Sequence, residues 1–287
     1  MFIPPSERFF PSNIPASPPP NLDYMRNPLY LTSRLFLATA LFLFTACQKF
    51  IDADFFKHGH DDAKLCNIMK ISSSSSFTSY QATFKYNYRG DPESVLFPDD
   101  EIGTGRPNLQ FLYDKKGRLT DYFGPYLNGY YEFWFQYRYD NGKIVGDTSY
   151  YAGQYSGNKR DGEPYAKYAA SYDYDAYGRI IRVSQKNLLY DEPENISKYT
   201  YDTHGNLTHF ENNNYAQDYS GFDDNTNIHR TNAVWMFVDR NYSVNNPYTA
   251  ANYNGSRLPV KISLGTFQHG FLWQIYIDDA TIEYQCK

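Results

Sequence analysis

Aromatic and aliphatic side chains fall at every second position through most of this chain. Between Thr78 and Tyr88 they are Tyr80, Ala82, Phe84, Tyr86 and Tyr88. The pairs Phe111 and Tyr113, Tyr137 and Tyr139, Tyr172 and Tyr174, and Tyr199 and Tyr201 repeat the spacing. Residues two apart share one face of a strand, so each pair lays two rings side by side. No helical period persists for three turns from here to Phe210, and the pattern predicts an antiparallel meander at hairpin spacing. Leu65 to Ile71 reads as a first strand, Ser72 to Ser76 as a flexible connection, and Val260–Leu264 and Phe271–Gln285 as two last strands. Asn212 to Asp224 reads as irregular. The dense apolar run Ala233 to Val238 predicts a short helix or buried strand that plugs an open end of the sheet.

A short phrase punctuates the alternation. It reads Tyr113-Asp114-Lys115-Lys116-Gly117-Arg118-Leu119, and returns as Tyr174-Asp175-Ala176-Tyr177-Gly178-Arg179-Ile180 and Tyr201-Asp202-Thr203-His204-Gly205-Asn206-Leu207. A shortened copy is Tyr139-Asp140-Asn141-Gly142-Lys143-Ile144. Asp at the head of a type I turn accepts the N–H two residues on, and Gly three residues after it takes positive φ at little cost. Asn141-Gly142 is the preferred two-residue type I′ loop instead. Both loops leave Asp114 facing Arg118, Asp140 facing Lys143 and Asp175 facing Arg179. One step inward, Tyr113, Tyr139, Tyr174 and Tyr201 meet Leu119, Ile144, Ile180 and Leu207. Such cross-strand pairs contribute roughly 0.2–1 kcal/mol each.

The phrase does not assign the two faces. Thr120 and Tyr122, Ile181 and Val183, and Thr208 and Phe210 stand opposite Leu119, Ile180 and Leu207 in strict alternation. Either bulges redirect the strands or both faces are partly covered. With 30 tyrosines, much aromatic surface is expected near water with its hydroxyls solvated.

Tyr-Asp-x-x-Gly-Arg-Leu resembles the YD repeat of Rhs-type proteins, whose units wind into an extended β-shell. The likeness covers about residues 80–265 when Tyr88-Arg89-Gly90-Asp91 and Tyr253-Asn254-Gly255-Ser256-Arg257-Leu258 are admitted as degenerate copies. With so few good copies, the chain is more similar to the small YD-repeat lipoproteins of Bacteroidetes. The resemblance implies an all-β domain: an antiparallel meander of such hairpins forming a large twisted or rolled sheet, a partial barrel or shell. It implies no reaction.

Ahead of the repeats, residues 1–24 carry Pro4, Pro5, Pro11, Pro15 and Pro18-Pro19-Pro20, which predicts disorder. Met25-Arg26 opens an export signal, and the expected start of translation is Met25, with residues 1–24 a gene-model extension. The signal spans 25–46: Arg26 and Arg34 are its positive end and Leu35 to Phe44 its apolar run, shorter than the ~20 residues of a spanning helix. Phe44-Thr45-Ala46-Cys47 resembles the lipobox of bacterial lipoproteins, which implies that Cys47 carries lipid and becomes the first mature residue. Several acyl chains hold a protein firmly, at ~0.8 kcal/mol per buried CH₂. Residues 47–63 read as a polar tether and 64–287 as the repeat domain. His58-Gly59-His60-Asp61-Asp62 has metal-ligand types, yet nothing beside it supplies a scaffold, so a solvated linker is expected there.

Of three cysteines, Cys66 and Cys286 remain after lipidation. In an oxidising envelope compartment they can join and staple the ends of the sheet, although sequence alone does not show proximity. Six histidines are scattered, and no nucleophile, zinc or phosphate-loop motif accompanies them. Asp99-Asp100, Asp223-Asp224 and Asp278-Asp279 are candidate glycosidase carboxylates or calcium ligands, with solvated loop acids the commoner explanation. Formal charge is −5, and −6 for residues 47–287 once two acids and three bases are removed; with no basic stripe, nucleic acid is not an expected partner. No catalytic residue, cofactor or metal is expected. The expected role is a non-enzymatic interaction or structural surface, lipid-anchored at the bacterial outer membrane on its periplasmic or cell-surface side, with a glycan or an envelope protein as partner. The alternatives are a glycan-binding lipoprotein, on the strength of the Tyr-rich strands with Trp235 and Trp273, and a glycoside hydrolase using loop carboxylates.

Overall fold

The computed structural model describes residues 66–74, 79–98, 106–263, 270–272, 275–277 and 279–287. The expected disordered segment 1–24, signal 25–46, Cys47 and tether 47–63 with His58 and His60 lie outside the described residues, as do Asp99, Asp100, His269, Trp273 and Asp278.

Sixteen described strands form one open antiparallel sheet. Strands β1 (Cys66–Ser74), β2 (Ser79–Tyr86), β3 (Pro92–Leu96), β4 (Leu109–Tyr113), β5 (Leu119–Pro125), β6 (Tyr130–Asp140) and β7 (Lys143–Ser156) follow one another across it. A three-residue β8 (Lys159–Asp161) folds back on β7. The meander resumes with β9 (Ala166–Tyr174), β10 (Ile180–Asn187), β11 (Asn195–Tyr201), β12 (Leu207–Glu211) and β13 (Ala216–Asp218). The chain then crosses back over one face as a strap that holds a 3-10 turn (Ile228–Thr231) and helix α1 (Ala233–Asp239). It rejoins the sheet beyond β1 with β14 (Asn252–Tyr253), β15 (Pro259–Ile262) and β18 (Ala280–Cys286). A separate hairpin pairs β16 (Gly270–Phe271) with β17 (Ile275–Tyr276).

Four local expectations differ. Ser72 to Ser74 continue β1, because each pairs with both β2 and β18 or with β2 alone, and a paired backbone is held whatever its side chains. β13 lies inside the polar stretch expected to be irregular. The segment from Phe271 to Gln285 is not one strand: Leu272 and Asp279 take φ of 51° and 50° and break it. The apolar run forms α1, capped by the Asn232 side chain on the Val234 N–H, and it lies across the face of the sheet rather than at an open end.

The turns carry the chemistry of the phrase. Asp114 accepts the N–H groups of Lys116 (2.8 Å) and Arg118 (2.9 Å), and Gly117 sits at φ 82°. Asp175 with Gly178 and Asp202 with Gly205 repeat this arrangement, while Asn141 and Gly142 turn the chain between Asp140 and Lys143 with two positive φ values. The first degenerate copy starts at Tyr86 and not Tyr88, with Asn87 in the place of Asp, accepting from Arg89 and Asp91. The last begins at Tyr253, and Arg257 holds the left-handed position at φ 60°.

A bulge follows every one of these six turns. Tyr113 faces Leu119 while Leu112 faces Asp121, so Thr120 is the extra residue. Glu93, Val145, Ile181, Thr208 and Val260 are extra in the same way. One extra residue turns the returning strand over, so Leu119 shares a face with Tyr122, and Ile180 with Val183. Both alternatives left open by the alternation are realised. The bulges redirect the strands, and the opposite face carries its own cluster of Phe123, Trp134, Tyr131 and Tyr150, with Trp134 stacked on Phe123 at 3.9 Å.

Repeated bulges curl a sheet, and the strap measures the curl. Trp235 touches Phe84 on β2, and Tyr242 touches Tyr201 on β11, eight strands away. Eight intervals of ~4.8 Å make about 38 Å across a flat sheet, whereas seven residues of fully extended chain reach ~25 Å. The sheet therefore bends round the strap, which lies on its concave face.

Neighbouring hairpins are fastened by the tyrosine of each phrase. Tyr113 donates its hydroxyl to the Pro92 carbonyl (2.8 Å), Tyr139 to Leu119 (2.8 Å) and Tyr174 to Ile144 (2.6 Å), each on the preceding hairpin. Tyr86 and Tyr284 do likewise with Ile68 and Pro259. The basic residue of one phrase covers the ring of the next: Arg118 over Tyr139 (4.6 Å), Lys143 over Tyr174 (3.6 Å) and Arg179 over Tyr201 (4.2 Å). Tyr88, Tyr165, Tyr177 and Tyr190 stand in water as expected of much of the aromatic surface, whereas for the ladder tyrosines burial makes a backbone carbonyl the available acceptor and pushes the Tyr139 phenol up to about 12. Cys66 and Cys286, opposite one another on β1 and β18, are joined as a disulfide.

Tyr139→Phe is expected to lower stability by about 1 kcal/mol, read as a lower denaturant midpoint, while Tyr177→Phe at an exposed turn leaves it unchanged. Reduction of the disulfide, which closes a separation of 220 residues, is expected to cost up to about 5 kcal/mol by the chain-entropy relation. Unfolding curves with and without a phosphine reductant measure this, and coincident curves would contradict it.

Candidate functional site

Extending the repeated phrase by three residues exposes its one chemical exception. The position three beyond the apolar residue is Val95, Tyr122, Val183, Phe210 and Ile262 in five described copies. In the short copy, three beyond Ile144, it is Asp147. The bulge at Val145 turns this side chain to the concave face, opposite Tyr137 on β6 and Ala170 on β9. Asp147 is fully buried. A carboxylate at a position otherwise reserved for apolar side chains requires partners.

Three elements supply them. Tyr172 on β9 donates its hydroxyl to Asp147 Oδ2. Gly146 leaves room for Arg138 to donate to the Ala170 carbonyl (2.7 Å), since a Cβ there would run into both groups. Arg240, immediately after α1, places Nη2 3.5 Å from the Tyr172 hydroxyl, with its guanidinium 5.6 Å from that ring. Arg240 sits at φ 52°, where glycine or asparagine is the usual helix terminator. Tyr201, the last tyrosine of the ladder, donates to the Arg240 carbonyl (3.1 Å) instead of to a neighbouring strand. Strain and a diverted tyrosine thus hold the arginine against Tyr172, whose hydroxyl stands between it and the aspartate.

Burial pushes the Asp147 carboxyl above its ordinary value, and the Tyr172 hydrogen bond with the charges of Arg240 and Arg138 pull it part of the way back. Burial also drives the phenols of Tyr172 and Tyr137 well up, so both stay neutral and Tyr172 remains a donor. Asp147 Oδ1, Ser149 Oγ and Arg240 Nε make no well-aligned hydrogen bond, although Ser149 lies within reach of Asp147 and Tyr151, and Arg240 within reach of Tyr199. Ser149 stands two residues along β7 on the same face, also fully buried.

The residues singled out in the sequence lie elsewhere. Asp114, Gly117, Asp140, Gly142, Asp175, Gly178, Asp202 and Gly205 make the turns. Trp235, read as a candidate ligand-stacking ring, is completely buried between Phe84, Phe111 and Phe271 and belongs to the core. Asp223 is taken up by Asn246 and Tyr253, and the Asp224 carbonyl accepts from Arg257. His204 follows a turn aspartate, His209 pairs with Asp218 (2.6 Å) at the sheet edge, and His229 is clamped between Asn227 and Asp239. Among the described residues no cluster of three His, Cys, Asp or Glu side chains could hold a metal ion. Asp147 shows in the sequence only when the phrase is compared three residues past its apolar position, whereas Ser149 and Arg240 carry no such local signal.

Asp147→Ala is expected to destabilise the fold by about 3 kcal/mol, because Tyr172 loses its buried acceptor and Arg240 a nearby opposite charge. Asp147→Asn keeps an acceptor for Tyr172 and should cost much less. The folded-state pKa lies above the unfolded one, so the unfolded chain loses this proton first. The carboxyl's contribution to stability therefore falls as pH rises from about 3.8 through the folded value. Stability measured against pH should show that decline in the wild type and not in Asp147→Asn. No protein-family model matches this chain, and no curated protein matches it.

Proposed function

We propose that this chain is a non-enzymatic, lipid-anchored protein of a bacterial outer membrane whose rolled sheet presents a binding surface on its concave face. The observation that carries the binding role is Asp147. A buried, charged residue stands where the repeat elsewhere places apolar ones, matched to an arginine that the strap holds in a strained conformation. A buried charged network is weak support for stability as such, and strain of this kind gathers at functional sites. A binding role fits better than catalysis. Tyr172 occupies the carboxylate and Arg240 contacts the Tyr172 hydroxyl, while His209 pairs with Asp218 and His229 with Asp239.

The anchor rests on the run Leu35 to Phe44 followed by Thr45-Ala46-Cys47 and a polar stretch before Cys66. Among the described residues no helix is long and apolar enough to cross a membrane. Attachment through Cys47 places a folded sheet beside lipid without a spanning segment. The wild-type chain expressed in a Gram-negative host should then partition with membranes and need detergent for release, and incorporate a labelled fatty acid. Cys47→Ala should lose the label and leave with buffer alone; equal partitioning of the two would overturn the anchor.

A further inference from the structure

Asparagine followed by glycine occurs three times, at Asn128-Gly129, Asn141-Gly142 and Asn254-Gly255. The fold treats the three differently. Asn128 Oδ1 accepts the Tyr130 N–H (3.1 Å), and the Gly129 N–H donates to the Tyr126 carbonyl (3.3 Å). Asn254 Oδ1 accepts from the N–H groups of both Ser256 and Leu258 (3.0 Å each). Asn141 is the exception. It opens the two-residue loop between β6 and β7, at φ 47° with Gly142 at 83°. Among the described residues no group bonds the Asn141 side chain or the Gly142 N–H, and both residues are exposed. A Cβ on Gly142 would meet nothing within 4 Å, so no packed neighbour holds that peptide in place.

The geometry points to Asn141 as a site of spontaneous modification, where the side-chain amide is lost as ammonia and the residue becomes isoaspartyl or aspartyl. The proposal rests on neither the binding role nor the anchor. The Gly142 backbone nitrogen gives its proton to hydroxide and attacks Asn141 Cγ. The new N–Cγ bond closes a five-membered imide as the Cγ–Nδ2 bond breaks, and Nδ2 leaves as ammonia with a proton from water. Water then opens the imide. Cleavage at Cγ gives an ordinary aspartyl, whereas cleavage at the main-chain carbonyl leaves the backbone running through Cβ and Cγ, one atom longer. Overall one water is consumed and one ammonia released, with no change of oxidation state. Glycine, without a side chain, leaves the attacking nitrogen uncrowded. At Asn128 and Asn254 the amide must first give up its hydrogen bonds, and at Gly129 the nitrogen must too, which slows the same reaction. The longer backbone no longer fits a two-residue loop. Tyr139, bonded to the Leu119 carbonyl (2.8 Å), and Lys143, over the Tyr174 ring (3.6 Å), stand on either side of this loop. The change therefore loosens two joints of the tyrosine ladder.

The test ages the purified full chain in detergent at mildly alkaline pH, in oxygen-labelled water, and maps the label by mass spectrometry of its peptides. Label should enter at Asn141 about tenfold or more faster than at Asn128 or Asn254, and faster still as pH rises. In urea with the disulfide reduced, the three sites should react at similar rates, because each is then an Asn-Gly pair in open chain. Asn141→Gln, whose longer side chain closes such a ring poorly, should release correspondingly less ammonia. Aged protein enriched in isoaspartyl should have a lower denaturant midpoint than fresh protein, whereas Asn141→Asp, which adds only the charge, should not. No label at Asn141 in the folded chain, earlier label at Asn128 or Asn254, or undiminished ammonia from Asn141→Gln would each overturn the site. An unchanged midpoint in the aged protein would overturn the loosening of the ladder. The wild-type map needs no variant, so it decides the matter even if Asn141→Gln fails to fold.

Discussion

A phenol buried at the base of a hairpin must give its proton to some acceptor. In this sheet the acceptor is the backbone of the hairpin before it. Tyr113, Tyr139 and Tyr174 reach Pro92, Leu119 and Ile144, and the cation beside Leu119 or Ile144 closes over the incoming ring. Asp114 and Asp175 in turn fix Arg118 and Arg179 through 2.7 Å bonds. The repeated phrase is thus a joint as well as a turn: its aspartate holds a cation, the cation holds the next tyrosine, and that tyrosine holds the previous backbone. Phenylalanine could fill the same space but would leave those carbonyls without their second partner.

The joint repeats until Tyr201, whose hydroxyl goes to Arg240 in the strap and not to the hairpin before it. Asn206 stands where Arg118 and Arg179 stand in earlier copies, and it binds Asn245 of the strap instead of a ring. The last hairpin is therefore specialised to receive the returning chain. That docking orients Arg240 toward Asp147, so the candidate site depends on the ladder ending where it does. The same return delivers β18 to β1, where the disulfide closes the chain's longest loop.

The turns were legible because their chemistry is local. An aspartate, a glycine three residues on and an apolar pair across the gap specify a hairpin within seven residues, and Tyr113–Leu119 through Tyr201–Leu207 pair as read. The degenerate copies were harder. Asn87 performs the turn without the phrase's Asp, so that copy reads two residues late, whereas the last copy starts at Tyr253 as read although Arg257 takes the left-handed position without glycine. The bulges escaped because an extra residue has no signature of its own; it shows only when Leu119 is paired with Tyr122 at a spacing of three. Asp147 was readable by that same comparison, whereas Arg240, more than ninety residues away, had nothing in its surroundings to link it to an aspartate.

Composition and short-range pattern alone determined that this is an antiparallel, tyrosine-rich meander with turns at Asp114, Asp140, Asp175 and Asp202, since a strand's period and a tight turn's φ values are set by residues a few positions apart. Which face is concave, that α1 lies within the curl, and that one arginine meets one aspartate were decided only by tertiary structure. Curvature accumulates from bulges over many strands, and a buried charge acquires its partner only when the chain has come back across the sheet that the bulges bent.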